Sequence, residues 1–183
     1  MSGPFLVCED GHEYTERFTR LLGTQFRFVR AGDFGEALAL ARAGAPFRFL
    51  PGISSAFGAL AEARIPGTMR GTSRALILVT GHDPEAVDWA ALARTGQPIV
   101  IYMGLAAIAG IAVSLMRGGL PASTPAAVIA SATTPAERIL VADLGGIAAL
   151  VEAEGVRAPA LIVVGAIVAL RDELLALAAD ASA

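Results

Sequence analysis

The chain has 183 residues, of which 55% are hydrophobic and 17% are charged, and its formal net charge is −3. That apolar content can bury a core, so the composition excludes an intrinsically disordered chain. All 14 basic residues are arginine and they form no block, which argues against a nucleic-acid-binding protein and excludes lysine Schiff-base chemistry.

The first fifty residues alternate short apolar runs with amphipathic segments. Their spacing predicts strands at 5–7, 26–31 and 47–50, and helices at 13–22 and 34–43. Strands that alternate with helices indicate a mostly parallel sheet with right-handed crossover connections.

The rest of the chain continues this alternation. We predict helices at about 54–64, 88–93, 105–116, 144–154 and 171–179, and strands at 75–80, 98–103, 126–130, 137–143 and 160–168. Ser54 is suited to cap the first of these helices, and Thr133-Thr134-Pro135 predicts a hairpin-like turn. The fold class expected is α/β, with a mostly parallel or mixed sheet and helices on both faces.

The uncharged stretch 98–116 is long enough to span a membrane. Its residue pattern favours a buried strand and helix of an α/β fold instead, because a β-branched run, a glycine and an alanine-rich segment follow one another. The single cysteine, Cys8, and a start without a basic signal region predict a cytoplasmic protein without a membrane partner. His12 and His82 lie in unrelated contexts, so we expect no metal site.

Small or polar residues lie at the ends of four of the predicted strands, at 51–55, 80–82, 102–104 and 159–160. In open α/β sheets, ligands bind at strand ends, where helix N-termini and loop N–H groups gather. The composition suits a mostly neutral ligand held by backbone groups. His82 is either a contact for such a ligand or a loop histidine bonded to backbone.

The opening run, with Glu9-Asp10 at the end of its first strand, resembles the start of response-regulator receiver domains, in which an acidic pair holds Mg²⁺. The resemblance covers about the first forty residues. It lacks the phosphoacceptor aspartate, because Phe49-Leu50 runs into Pro51-Gly52, and the chain has no lysine. We therefore favour a solvated acidic loop over a phosphorylation site.

A second resemblance extends from about residue 35 to residue 174. Motifs in the order and spacing of the S-adenosylmethionine-dependent tetrapyrrole methylases are found at 45–56, 65–71, 79–82, 101–104, 132–135 and 159–165. Within that family, the sequence looks most like the C-methyltransferases that act on uroporphyrinogen-III.

This resemblance implies a surface for S-adenosylmethionine or S-adenosylhomocysteine. The positions that match the family's cofactor contacts are Ser54, Ser55, Met103, Ala132 and Ala160. Adenine binds between apolar walls and backbone hydrogen-bonding groups, and a methionine side chain offers a soft wall of this kind. No catalytic residue is assigned.

The family's first domain, with its glycine-rich loop, has no counterpart in the sequence, and a second family loop is reduced to 32–35. We therefore predict a chimeric or truncated chain, with a flavodoxin-like or receiver-like βαβα segment at 1–44 joined to a methylase domain at 45–183. The function expected first is a folded scaffold without efficient catalysis, because the family's active site lies between two domains. The alternatives are an active uroporphyrinogen-III C-methyltransferase, with a tetrapyrrole substrate, and a receiver-like signalling module. A homodimer is expected from the resemblance.

Overall fold

The computed structural model describes residues 5–8, 20, 28–31, 34–44 and 52–180. The chain divides into two compact units, Met1–Gly52 and Ile53–Ala183. The strand predicted at 47–50 and the acidic pair Glu9-Asp10 lie outside the described residues, as does the helix predicted at 13–22 except for Arg20, which is helical.

The first unit contains two parallel strands and one described helix. Strand β1 (Phe5–Cys8) pairs with β2 (Phe28–Ala31), with Phe5 opposite Phe28. Helix α1 (Phe34–Arg42) follows, and Gly44 adopts a φ of +84° just beyond it, the left-handed conformation typical of a helix C-terminus. The two strands and this helix were predicted from the sequence.

The second unit has five strands and five helices among its described residues. In chain order they are α2 (Ser55–Glu62), β3 (Ile77–Thr80), α3 (Trp89–Arg94), β4 (Ile99–Tyr102), α4 (Ile108–Arg117), β5 (Pro125–Ala130), β6 (Arg138–Asp143), α5 (Ile147–Ala153), β7 (Ala160–Val164) and α6 (Leu170–Asp180). Each overlaps an element that the sequence predicts.

The five strands form one mixed sheet in the order β3-β4-β7-β5-β6. Strands β3 and β4 are parallel, whereas β7 is antiparallel to both β4 and β5, and β5 and β6 form an antiparallel pair. The turn at 131–137 joins β5 to β6, as Thr133-Thr134-Pro135 predicts. The α/β class with a mixed sheet is confirmed.

Helices cover both faces of this sheet. On one face, α3, α4 and α5 pack on alternate strand residues that include Ile101, Val128 and Ile162. On the other face, α2 and the short helical turn Ala166–Ala169 pack on Val100, Ile129 and Val163. Because consecutive residues of a strand point to opposite faces, the β-branched runs of β4, β5 and β7 supply both cores at once.

Strand β7 is shorter than the strand predicted at 160–168. Gly165 has a φ of +137°, which L side chains rarely adopt, and the chain turns there into Ala166–Ala169. A Cβ at this position would lie 3.0 Å from Cα of Pro98. The apolar run continues through this turn because Ile167 and Val168 are buried in the second core. Within the described ranges, no helix has the length and apolar character needed to cross a membrane.

The start of α3 provides a test of local stability. Oδ1 of Asp88 accepts a hydrogen bond of 2.8 Å from the N–H of Ala91, which caps the helix. We expect Asp88→Ala to lower the free energy of unfolding by about 1 kcal/mol, as loss of an N-cap does elsewhere. Asp83→Ala is the matched control, because Asp83 precedes a helical turn without a side-chain cap bond. Denaturant unfolding of the two variants measures the difference, and equal losses would contradict the capping role.

Candidate functional site

One edge of the five-stranded sheet gathers most of the strand ends that the sequence singles out. Strands β3, β4 and β5 run in the same direction and end there, and the antiparallel β6 and β7 begin there. Tyr102, the last residue of β4, pairs with Leu161, and Ala130, the last residue of β5, pairs with Ala160. We refer to the residues following β3, β4 and β5, with Ala160 at the start of β7, as the carboxyl edge.

Met103 projects from the carboxyl edge directly after β4. Its backbone has a φ of +52°, in the left-handed region that a residue other than glycine seldom adopts, and 64% of the residue is exposed. A strained, exposed apolar residue does little for packing in the free protein. Such conformations cluster at functional sites, so Met103 is a candidate ligand contact.

Two glycines allow the ends of β3 and β4 to approach closely behind Met103. The N–H of Gly81 donates to the carbonyl of Tyr102 over 2.7 Å. A Cβ on Gly81 would lie 2.8 Å from Cα of Gly104, and a Cβ on Gly104 would lie 2.9 Å from Cγ2 of Ile101. Both positions therefore require glycine for close packing, and together they fix where the backbone of Met103 lies.

Ala132 follows the end of β5, and Ala160 begins the neighbouring strand β7, so both belong to the carboxyl edge. The N–H of Ser131 donates to the carbonyl of Pro159 over 2.9 Å, which ties the end of β5 to the start of β7. Ser131 and Thr133 have φ values of +47° and +66°, on either side of Ala132. Both alanines are partly buried, Ala132 against one core and Ala160 against the other. Their small side chains would let a ligand approach the backbone of the edge.

Ser54 reaches the carboxyl edge through Tyr102, and Ser55 follows it as the first residue of α2. The hydroxyl of Tyr102 lies 2.9 Å from Oγ of Ser54, and the same oxygen accepts a 3.3 Å hydrogen bond from the N–H of Ala56. Ser54 was expected to cap the helix that follows. It occupies the N-cap position of α2, but its side chain makes no bond to a helix N–H. This prediction is wrong because the hydroxyl is bonded to Tyr102 instead.

The carboxyl edge therefore brings Met103, Ala132 and Ala160 together within one unit, with Ser54 bonded to Tyr102 beside them and Ser55 next to Ser54 in the chain. It offers an apolar side chain (Met103), two small residues, serine hydroxyls and backbone groups. This combination suits a largely neutral, adenosine-like ligand. Within the described residues, no three His, Cys, Asp or Glu side chains gather into a candidate metal site.

Two further residues, His82 and Trp89, are not among these five contacts. His82 is exposed after β3, where its N–H donates to Oγ1 of Thr80 over 3.3 Å, and its role as a ligand contact stays a prediction. Trp89 is buried, packs in the first core and donates from Nε1 to the carbonyl of Pro84 over 2.8 Å. It therefore packs its short helix against the core.

Two surface grooves lie away from the carboxyl edge. One, of about 510 Å³, runs between α3 and α4 and is lined by residues that include Trp89, Gly110 and Arg117. The other, of about 320 Å³, lies at the opposite edge of the sheet, beside Gln97 and Gly165. Neither groove is lined by any of the five predicted contacts. In neither do apolar side chains and hydrogen-bonding groups converge as they do at the carboxyl edge.

Sequence reasoning missed the role of Tyr102 in the site. Tyr102 is the one polar side chain in the apolar strand Ile99–Tyr102, and a polar group at the end of a buried strand is the signal that points to a partner. The partner lies 48 residues away in sequence, so only the fold identifies it.

These features define an α/β domain with a candidate ligand site, lined by small residues, at one end of its sheet. A family model described as Tetrapyrrole (Corrin/Porphyrin) Methylases matches residues 28–148, more than half of the chain. The chain belongs to this family.

Similar proteins agree with this assignment. The chain is 42% identical over 158 residues to siroheme synthase of Gluconacetobacter diazotrophicus, an alignment that covers 84% of this chain and 33% of the relative. The chain thus spans about a third of the length of the curated relatives it matches.

Solved structures from Thermus thermophilus extend the comparison to the fold. A uroporphyrin-III C-methyltransferase complexed with S-adenosyl homocysteine is 30% identical, with a TM-score of 0.61, and the match covers 87% of this chain and 73% of that one. A second structure of uroporphyrin-III-C-methyltransferase is 28% identical, with a TM-score of 0.69, and covers 95% of this chain and 87% of that one.

The family match begins upstream of the seam that the sequence predicts. It starts at residue 28 and includes β2 and α1, which the sequence interpretation placed in a receiver-like segment at 1–44. The receiver-like start and a chimeric origin are not supported by the comparisons and stay predictions, as do the domain bounds 1–44 and 45–183.

Proposed function

We propose that the chain is an S-adenosylmethionine-dependent methyltransferase that acts on a tetrapyrrole of the uroporphyrinogen-III type. The observation that carries this proposal is the convergence of Met103, Ala132, Ala160 and the start of α2 at the carboxyl edge. It occurs in a chain that is 30% identical to a uroporphyrin-III C-methyltransferase complexed with S-adenosyl homocysteine. The comparisons support this alternative better than the folded scaffold without efficient catalysis.

Each residue of the edge has a distinct task in this proposal. Met103 provides an apolar wall for the nucleoside, and Ala132 and Ala160 allow the ligand to approach the backbone of β5 and β7. Ser54 places its hydroxyl beside the end of β4, and Ser55 follows it at the start of α2. When bound, S-adenosylmethionine supplies a methyl group, held on a sulfonium, to a nucleophilic carbon of the substrate. The chain's part is then to fix the cofactor's position, which accounts for much of the rate enhancement in such reactions.

Titration with S-adenosylhomocysteine tests the cofactor part of the proposal. We expect saturable heat in calorimetry at one site per chain. Ligand at a hundredfold excess over its Kd should stabilise the fold by about 2.7 kcal/mol and raise the melting temperature accordingly. The absence of both heat and a thermal shift would refute the proposed function.

A methylation assay separates the proposal from the scaffold interpretation. With S-adenosylmethionine and reduced uroporphyrinogen-III, we expect a methylated tetrapyrrole and stoichiometric S-adenosylhomocysteine. Binding of S-adenosylhomocysteine without turnover would instead support the folded scaffold.

Addition of acetyl phosphate with Mg²⁺ tests the receiver-like module. It should cause no change, and a response would support that module. A homodimer, a cytoplasmic location and the absence of nucleic-acid partners stay predictions.

A further inference from the structure

We propose that Tyr102 is a positioning residue that fixes the Ser54–Ser55 corner of the carboxyl edge for the cofactor, an inference that rests on the proposed function. Its aromatic ring and its hydroxyl have separate tasks. The ring is partly buried against the core that lies under α2, so it belongs to the packing of that face. The hydroxyl reaches beyond the core to the polar start of the helix.

The need for this hydroxyl arises at the N-terminus of α2. The first N–H groups of an α-helix have no partner within the helix, and a side chain of the N-cap residue usually accepts one of them. Ser54 holds the N-cap position but makes no such bond. The N–H of Ala56, a residue with no exposed surface, donates to Tyr102 instead, so a residue from β4 caps α2.

In this arrangement, Ser54 is held by Tyr102, the last residue of β4. The hydroxyl of Tyr102 has one proton to donate and two lone pairs, so it can accept from Ala56 and donate to Ser54 at the same time. Tyr102 is also followed directly by Met103. One side chain therefore links the two parts of the edge, the serine corner and the methionine wall, that the proposed cofactor must touch together.

The link has a predictable energetic consequence for binding. Without the hydroxyl, the serine corner is free to adopt other positions in the unbound chain, and the ligand must then order it on binding. The ring remains in Tyr102→Phe, so the core under α2 is preserved. The loss should therefore show in ligand affinity and in local opening more than in global unfolding.

The experiment compares Tyr102→Phe with Ser73→Ala. Oγ of the buried Ser73 accepts a bond from the N–H of Met69, so each variant loses a hydroxyl that accepts a backbone N–H, but Ser73 lies in the loop that precedes β3, away from the carboxyl edge. We expect Tyr102→Phe to raise the Kd for S-adenosylhomocysteine about fivefold, the effect of one or two lost neutral hydrogen bonds. Ser73→Ala should leave that Kd unchanged even where its melting temperature falls equally.

Two further measurements separate positioning from stability. Hydrogen exchange of the Ala56 amide in the ligand-free chain should accelerate at least about tenfold in Tyr102→Phe and remain unchanged in Ser73→Ala, because only the first variant removes its acceptor. In a Ser54→Ala background, Tyr102→Phe should raise the Kd by a smaller factor than in the wild type, because one of its two partners is already gone.

The outcomes distinguish this inference from the proposed function. If the wild-type chain does not bind S-adenosylhomocysteine, the proposed function is refuted and the positioning role falls with it. If the wild type binds and Tyr102→Phe binds with the same Kd, the positioning role alone is refuted. Equal losses of affinity in Tyr102→Phe and Ser73→Ala would also refute it, because they would reflect general destabilisation.

Discussion

Gly81→Ala is expected to lower the free energy of unfolding by about 1–3 kcal/mol, the usual cost of overpacking a filled site. The added Cβ would lie 2.8 Å from Cα of Gly104 and 3.0 Å from Cδ1 of Ile111. The closer neighbour is backbone, which cannot turn away as the tip of a flexible side chain can. The end of β4 must therefore shift, and Met103 must shift with it.

Displacement of Met103 links this stability effect to binding. We expect the Kd for S-adenosylhomocysteine to rise by about tenfold or more, since small displacements of positioning groups are costly. Gly110→Ala is the matched control, because Gly110 lies in α4 with no atom within 4 Å of an added Cβ. This control should stabilise the fold by about 0.5–1 kcal/mol and leave the Kd unchanged. Wild-type stability and affinity in Gly81→Ala would contradict the close-packing account.

Met103→Gly is expected to lower the affinity for S-adenosylhomocysteine without lowering the stability of the fold. The left-handed backbone conformation costs a residue with a side chain about 1–2 kcal/mol, and glycine removes this cost. The exposed side chain contributes little packing, whereas glycine loses more backbone entropy on folding. The free energy of unfolding should stay the same or rise by up to about 1 kcal/mol. The Kd for S-adenosylhomocysteine should rise about tenfold, because an apolar wall of the ligand site is lost.

The control for this variant is another exposed methionine. Met69 lies in the loop before β3, away from the carboxyl edge, and Met69→Ala should leave the Kd unchanged. Denaturant unfolding and calorimetric titration on the same preparations provide both quantities. A Met103→Gly variant that is clearly destabilised but binds normally would show that the side chain serves packing rather than ligand binding.

The elements of the second unit could be predicted because their sequence patterns are local. Runs such as Ile99–Tyr102 and Ala160–Val164 are β-branched and apolar, as expected for strands buried on both faces. The hairpin between β5 and β6 follows from a short polar turn between two apolar runs. These signals depend on neighbouring residues only, and local patterns are what a sequence displays most clearly.

The order of the strands could not be predicted in the same way. Strand β7 inserts between β4 and β5 and is antiparallel to both, although it comes last in the chain. Its buried pattern indicates a central strand but does not specify the neighbours. That choice depends on how α4 and the β5–β6 hairpin fill the space between them, which no local pattern encodes.

The residues of the candidate site were carried over from motif positions, and their role as cofactor contacts stays a prediction. The fold places Met103, Ala132 and Ala160 at one edge and bonds Ser54 to Tyr102 beside them. The bond between Tyr102 and Ser54 and the approach of Gly81 to Gly104 join distant segments. Both depend on how the strand ends pack against one another, so only the three-dimensional structure identifies them.

The decisive experiment is a crystal structure of the chain with S-adenosylhomocysteine at saturating concentration. We expect the nucleoside at the carboxyl edge, in contact with Met103, Ala132 and Ala160, and the homocysteine portion near the serine corner at Ser54 and Ser55. Ligand bound instead in the groove beside Trp89, or well-ordered crystals with an empty carboxyl edge, would contradict this expectation.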